Sequence, residues 1–380
     1  MIFLRLTLAS VFSQIGARVN GGQWHRAGGS KMKREAVIGL YAAFLAAPLL
    51  VLPGSPANAK ACPVKTVSDL KAADAAAKAV AISCDLRLDA GDVVRAPIEL
   101  SGSKASNVTI DCGGGTLDGT GYKAHTLAIR SIRQTDGSWD VPHNVTVRNC
   151  TIKGDLRIIG MAENGQGTWL KQSSISEGHT ARAQAAAPAK ITVSNVTFIA
   201  NGRIPLYAGP GTTGLDVSGS QFIGSTNSVV IYFDAESAGN IVEDNVFNIR
   251  TKSREQIALD GSADNRIAGN TFTDPVNGGI FLYRNCGEGG TIRHQAPQRN
   301  VIIGNTFRYK SASGAKPAVW IGSRQGNSRY CFNDAAYPFG SSLNSRDFAE
   351  HNSVTQNLLP GGSPSLIVNN DADNQVSGNR

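Results

Sequence analysis

Two carboxylates stand out: Asp234, which closes VVIYFD (229–234), and Asp260, which sits near the end of QIALDG (256–261). Both runs are rich in β-branched and aromatic residues, the composition of short strands. If these strands lie side by side, the two acids stand on neighbouring backbones about 4.8 Å apart. Carboxylates that close repel, so one must hold a proton, bind a cation such as Ca²⁺, or meet an arginine. Glu236, Arg254, Glu255, Arg284, His294 and Arg324 lie at the ends of similar runs or in the loops beyond them, and the runs themselves carry Tyr207, Tyr232, Tyr283 and Trp320. Rings next to acids and guanidinium groups can stack on a ligand's apolar face and grip its carboxylates. No other chemistry competes, since the sequence has no P-loop, G-x-S-x-G elbow, HExxH or dinucleotide-type glycine motif.

The elements that must position these residues belong to a repeat. One phrase returns between Lys190 and Phe307: ITVSNVTF (191–198), LDVSGSQF (215–222), NIVEDNVF (240–247), NRIAGNTF (265–272) and NVIIGNTF (300–307). Phe198, Phe222, Phe247 and Phe272 fall 24, 25 and 25 residues apart. A period of that size means one unit stacked on copies of itself. Each unit alternates apolar and polar residues, turns at a small residue or Asn, and lacks an amphipathic helical run. The expected fold is all-β, a parallel β-helix built of coils of short strands. Asn245, Asn270, Asn305, Asn357 and Asn379 recur at one turn and read as a ladder of amides. Phe222, Phe247, Phe272 and Phe307 read as a core stack.

A second strand in each unit forms the series IPLY, VVIYF, QIALD, GIFLY and AVWIG. Side chains alternate along a strand. With Leu206, Ile231, Ile257, Leu282 and Val319 inward, Tyr207, Tyr232, Ala258, Tyr283 and Trp320 form an outward column. Gly209, Asp234, Asp260, Asn285 and Gly322 form the next one. A slip of two residues between coils would preserve this parity. Blander readings stand beside the chemical one. An acid at a strand end is often a turn cap, Arg284 and Arg324 can be surface ion-pair partners, His294 can be an ordinary loop residue, and the tyrosines a ladder that stiffens the sheet.

Residues 1–59 stand apart from the repeat. Lys33 and Arg34 precede a mostly apolar run, Ala36 to Leu52, followed by Ala57-Asn58-Ala59. That pattern is a secretory signal peptide with cleavage after Ala59 and a natural start at Met32. The run is short for a membrane span of about 20 residues. Without this segment the chain carries 31 basic and 28 acidic residues, a net +3 in place of +8, which leaves no nucleic-acid footprint. All six cysteines lie beyond the cleavage site, and an exported chain favours disulfides, expected as Cys62–Cys84, Cys112–Cys150 and Cys286–Cys331, with buried free thiols as the alternative. The destination is secreted or periplasmic, with no stable membrane insertion after signal removal and a monomeric state.

The segment 60–84 reads as an N-terminal cap with a helix from Ser68 to about Lys78, covering the first coil of a solenoid over 85–380. Interruptions at 161–190, 285–297 and 309–352 read as loops thrown out from the coils.

These features resemble the right-handed parallel β-helix proteins of the pectate lyase-like superfamily. The resemblance rests on the Gly279-Ile280-x-Leu282 strand, the Asn-x-Ile/Val-x-x-Asn-x-Phe phrase and the helical cap, and covers roughly Cys84 to the C-terminus. It implies a substrate lying along the outward face of the Tyr/Asp strand series, walled by loops. Lyases, glycoside hydrolases, epimerases, esterases and adhesins share this fold. The paired-Asp and Gly-His-Gly motifs of polygalacturonases and the tryptophan-rich motif of pectate lyases are absent. The leading expectation is a polysaccharide lyase acting on an acidic glycan by β-elimination. Asp234 and Asp260, with Ca²⁺, would neutralise the uronate, and Arg284, Tyr283 or His294 would serve as base or acid. Tyr207, Tyr232, Glu236, Trp320 and Arg324 would bind the glycan. The alternatives are a glycoside hydrolase using Asp234 and Asp260, and a non-catalytic glycan-binding or surface β-helix.

Overall fold

The computed structural model describes residues 59–380 except 75–77, 122 and 326–332. The expected signal peptide and Cys331 lie outside the described residues. Two ten-stranded sheets and one eight-stranded sheet run the length of the solenoid, every neighbouring pair parallel. In the regular coils the chain visits the second sheet, the third and then the first. One coil comprises Ile241–Glu243, Val246–Thr251 and Ile257–Asp260. This is a right-handed parallel β-helix.

The corners explain the repeated phrase. The strands of the second sheet are flanked by residues with positive φ, for example Gly239 (65°) before and Asp244 (57°) after Ile241–Glu243. Asn, Asp and Gly tolerate that conformation best, so they recur there. From Gly239 to Gln356 the residue after each such corner is a buried Asn. Asn245 donates its backbone N–H and its Nδ2 to Oδ1 of Asn270 at 3.0 Å, and Asn270 does the same to Asn305 at 3.0 and 2.9 Å. A second ladder, Asn240–Asn265–Asn300–Asn352–Asn374, stands on the other side of the same sheet. Inside, Phe198, Phe222, Phe247, Phe272 and Phe307 stack with centroids 4.6 to 4.8 Å apart.

Helix α1 (Val64–Ala72) buries Leu70 against the first coils. It begins after Pro63, four residues before the expected start. Ser68 is inside it, with its hydroxyl turned back to the Lys65 carbonyl at 3.0 Å instead of capping an N-terminus. The disulfides Cys62–Cys84 and Cys112–Cys150 form as expected. Cys286 is disulfide-bonded as well. The 161–190 segment, read as an irregular loop, contains α2 (Thr168–Ser174) and α3 (His179–Ala185). Its alanine-rich stretch supplies strong helix formers.

Candidate functional site

Across the first sheet the register places Ala128, Arg157, Tyr207, Tyr232, Ala258, Phe281 and Trp320 in one outward column. The expected column has Tyr283 where Phe281 stands. Tyr283 instead pairs with Asp260, two residues along, because Ile280 rather than Leu282 aligns with Ile257. Both are apolar and share a parity, so the alternation could not separate them. In the next column Asp260 precedes Tyr283, and Asp234 precedes Asp260 by continuation from Phe233↔Leu259.

The two acids are therefore neighbours on the outward side of the sheet, but neither is open to solvent. Asp234 is 3% exposed and Asp260 0%. Asp234 accepts the Tyr207 hydroxyl and the Ala235 N–H (2.8 Å), and its Oδ1 lies 3.7 Å from the Arg293 guanidinium. Burial raises its pKa and Asp260 adds to the rise, against the pull of Arg293. Asp260 accepts the Tyr232 hydroxyl (2.7 Å) and two donors of Asn285, the N–H (2.8 Å) and Nδ2 (2.6 Å). The expectation of an open acidic groove over Asp234 and Asp260 is thus corrected: the acids are a buried layer that anchors two tyrosines. They do not fit Ca²⁺. Their oxygens are taken up by hydrogen-bond donors, and Arg293 already supplies the positive charge.

The covering comes from the insertions, and several expected site residues hold it down. Glu236, fully buried, accepts the Thr180 hydroxyl from α3 and the N–H groups of His294 (2.7 Å) and Gln295 (3.1 Å). It is a tie between insertions and not a glycan contact. The buried Asp347 accepts the backbone N–H of Arg284 (3.0 Å) and of Arg324 (2.8 Å), which pins the 340–350 segment over the strand ends. Arg284 is buried, and its Nη2 donates to the carbonyls of Asn344 and Arg346, both at 2.7 Å. Burial lowers its pKa, while Asp347, Glu236 and Asp260 oppose the shift.

His294 points Nε2 at the Ser174 carbonyl (2.8 Å), so that nitrogen carries a proton and donates. Its ring lies 5.0 Å from that of His179, whose pKa falls to about 3, first through burial and then through His294, Arg182 and Arg293. Tyr283 is 1% exposed, with its hydroxyl shared between Glu255 (3.1 Å) and Arg254 (2.8 Å), and burial pushes its pKa above the ordinary value, as for Tyr207 and Tyr232. Arg284, His294 and Tyr283, the three expected bases or acids, are all held inside this layer by hydrogen bonds.

Three half-buried arginines stand at the outer side of this layer, two of them over rings. Arg157 lies 4.2 Å from the Tyr207 ring centroid, and Arg324 lies 4.0 Å from that of Tyr283. Arg254 makes two bonds to Glu255, at 2.9 and 2.7 Å. Tyr207 and Tyr232 stack at 5.6 Å, and Trp320 packs edge-on against Phe281 at 5.4 Å. Arg157 Nη1 and Trp320 Nε1 are buried atoms with no hydrogen-bond partner among the described residues. Sequence reasoning missed Arg157, which lies outside the regular repeats, and Arg293, whose signal was only its closeness to His294.

A family model described as periplasmic copper-binding protein NosD matches residues 148–330, just under half of the chain. No curated protein matches the chain. Among solved structures, an alginate lyase from Paenibacillus sp. str. FPU-7 is 12% identical, covering 77% of this chain and 84% of that one, with a TM-score of 0.42. The surface protein and adhesin PfbA of Streptococcus pneumoniae is 12% identical, covering 74% and 69%, with a TM-score of 0.46. The A-module of a mannuronan C-5 epimerase from Azotobacter vinelandii is 14% identical, covering 79% and 82%, with a TM-score of 0.40. The chain is a right-handed parallel β-helix protein. Likenesses this distant say nothing about its substrate or reaction. The residues do not fit copper. In the matched stretch, His294 Nε2 is a donor to a carbonyl, and no cluster of three His, Cys, Asp or Glu able to hold a metal occurs among the described residues.

Proposed function

We propose that this chain is an exported protein that binds an anionic polysaccharide along the outward face of its first sheet and cleaves it by β-elimination. The observation that carries the reading is the ring-backed arginine row. Arg157 lies over the Tyr207 ring and Arg324 over that of Tyr283, Arg254 donates to the Tyr283 hydroxyl, and all three side chains are only half-buried. The column from Arg157 to Trp320 spans five coil spacings, about 24 Å, long enough for several sugar units in a row. Guanidinium groups pair with uronate carboxylates by two parallel hydrogen bonds, and that neutralisation is what makes the α-proton of a uronate removable. Tyr232 and Trp320, the half-buried rings of the column, take the apolar faces of the sugars. Hydrolysis by Asp234 and Asp260 is the weaker reading, because both carboxylates are sealed beneath this surface. Export is supported by the disulfides, which persist in oxidising compartments. Among the described residues no helix is long and apolar enough to cross a membrane.

Affinity electrophoresis in gels containing polygalacturonate, polymannuronate or neutral dextran tests the reading. The wild type should be retarded by an acidic polymer and not by dextran. Arg157→Ala and Arg324→Ala should each weaken binding about tenfold, or about 1.4 kcal/mol, with a diminished response to salt. Equal migration in all three gels removes the proposal. Turnover is read by the near-ultraviolet absorbance of the unsaturated product, which a hydrolase or a pure binder does not generate.

A further inference from the structure

The same sheet face extends one coil beyond Arg157, to Ala128 on the strand Leu127–Arg130. There a cavity of about 300 Å³ opens, lined by Glu99, Lys123, His125, Ala128, Arg130 and Glu163 among others. His125 is the one imidazole in it. Its Nδ1 lies 2.6 Å from Asp155 Oδ2, and a carboxylate can only accept, so Nδ1 carries the proton. In the neutral ring this leaves the lone pair on Nε2, which has no hydrogen-bond partner among the described residues.

The pair is held from several sides. Asp155 is 2% exposed and takes the Thr126 N–H at 3.1 Å. Arg203 reaches Asp155 Oδ1 at 3.5 Å while donating to the carbonyls of Ala124 (2.6 Å) and Lys123 (2.9 Å), which fixes the segment bearing His125. Burial works to raise the Asp155 pKa, but the bond and charge of His125, the Thr126 N–H and Arg203 outweigh it and hold the carboxyl below its ordinary range. An ionised acid behind an imidazole sets its tautomer and strengthens it as a base. A purely structural tie would use both ring nitrogens or bury them. Here the side chain is 23% exposed and lines a cavity that also takes in Ala128, the first residue of the outward column.

We propose that His125 is the base of the reaction, and that the reacting uronate sits in the cavity over Ala128 rather than above the buried aspartates. The proposal rests on the anionic-glycan reading. Nε2 takes the proton on the carbon α to the uronate carboxyl, and the electron pair of that C–H bond becomes a C=C bond. The bond from the adjacent carbon to the glycosidic oxygen breaks, and the leaving oxygen takes the proton back from Nε2. Asp155 and Arg203 are positioning residues. Arg130, 2.9 Å from Glu163 and 3.3 Å from Glu99, and Lys123 are the cations lining the cavity for the uronate carboxylate.

The test uses the full chain with polygalacturonate and polymannuronate, measuring binding and turnover separately. In His125→Gln the amide N–H can still donate to Asp155, so the segment stays tied, but no base remains. Turnover should fall at least 100-fold, with polymer affinity within about twofold. Asp155→Asn should lower kcat about tenfold or more with KM little changed, and ¹⁵N NMR of the His125 ring should show the proton leaving Nδ1 for a mixture of tautomers, a change that a merely structural role would not couple to kcat. Full turnover by His125→Gln overturns the assignment and leaves the glycan reading standing. Binding without turnover by the wild type also overturns it. Absence of binding by the wild type overturns both.

Discussion

Asp234→Asn separates a buried anchoring carboxylate from a catalytic one. Asn keeps an oxygen for the Ala235 N–H and places its NH₂ at the Tyr207 hydroxyl, which can turn to accept, so the change removes chiefly charge. The charge matters to Arg293, which is 2% exposed, 3.7 Å from Asp234, and has no hydrogen-bond partner for Nε or Nη1. At that distance an effective dielectric of about 20 gives an attraction of about 4.5 kcal/mol, and breaking buried pairs costs about 3–5 kcal/mol. Because burial also raises the Asp234 pKa, part of this is offset by relief of its own desolvation. A loss of about 3 kcal/mol is expected. Thermal melting should drop by roughly 6–10 °C, and a parallel loss should appear in urea. Arg293→Met in the same chain should recover most of it, since the double variant no longer buries an unpaired guanidinium. Glycan affinity should persist at temperatures where the variant is folded. An Asp234→Asn protein that melts within about 1 °C of wild type yet has lost turnover would refute the reasoning and return Asp234 to the chemistry.

Phe247, fully buried between Phe222 at 4.8 Å and Phe272 at 4.6 Å, should cost about 3–5 kcal/mol as Phe247→Ala; hydrogen exchange should show the protection lost first on these coils, because a solenoid couples nearest neighbours. His179 supplies a pH dependence. Its folded pKa of about 3 lies below the ordinary 6.5, so above pH 6.5 both states are neutral and its full contribution is present. As pH falls below 6.5 the unfolded chain takes a proton that the folded one refuses, and stability drops by up to about 1.4 kcal/mol per pH unit. Urea midpoints measured from pH 7 to 5 should show this slope, and His179→Gln should flatten it; an unchanged slope in the variant refutes the assignment.

The solenoid was legible because its signals are local and repeated. The phrase ending in Phe carries a positive-φ corner and a core ring within eight residues, and in the copies at 240–247, 265–272 and 300–307 a buried Asn as well. The second ladder, Asn240 to Asn374, was present in the same phrases, at their first positions, and needed only the same reading. Parity placed Asp234 and Asp260 side by side on the outward side of the first sheet. The site failed where information is not periodic. Ile280 and Leu282 satisfy alternation equally, and only the neighbouring strands decide between them, so Tyr283 moved from the ring column to the acid column. His125 and Asp155 lie 30 residues apart in the least regular coils, where no repeat aligns them.

The deeper miss concerns what outward means. A strand residue that faces away from the solenoid's core faces whatever the insertions place there, and nothing in a two-residue period encodes that cover. The acids themselves recruit it: Glu236 and Asp347 take backbone N–H groups from residues 294–295 and from Arg284 and Arg324. A carboxylate at a strand end is thus an acceptor for the next layer of backbone before it is a reagent, and a strand end is where an inserted segment leaves the coil with unpaired N–H groups. Arg157 and Arg324 lay their guanidinium groups on the Tyr207 and Tyr283 rings and stay half-buried at the outer side of the same sheet. The proposed base, His125, keeps 23% of its side chain exposed, whereas Asp234 and Asp260 lie sealed in the layer beneath.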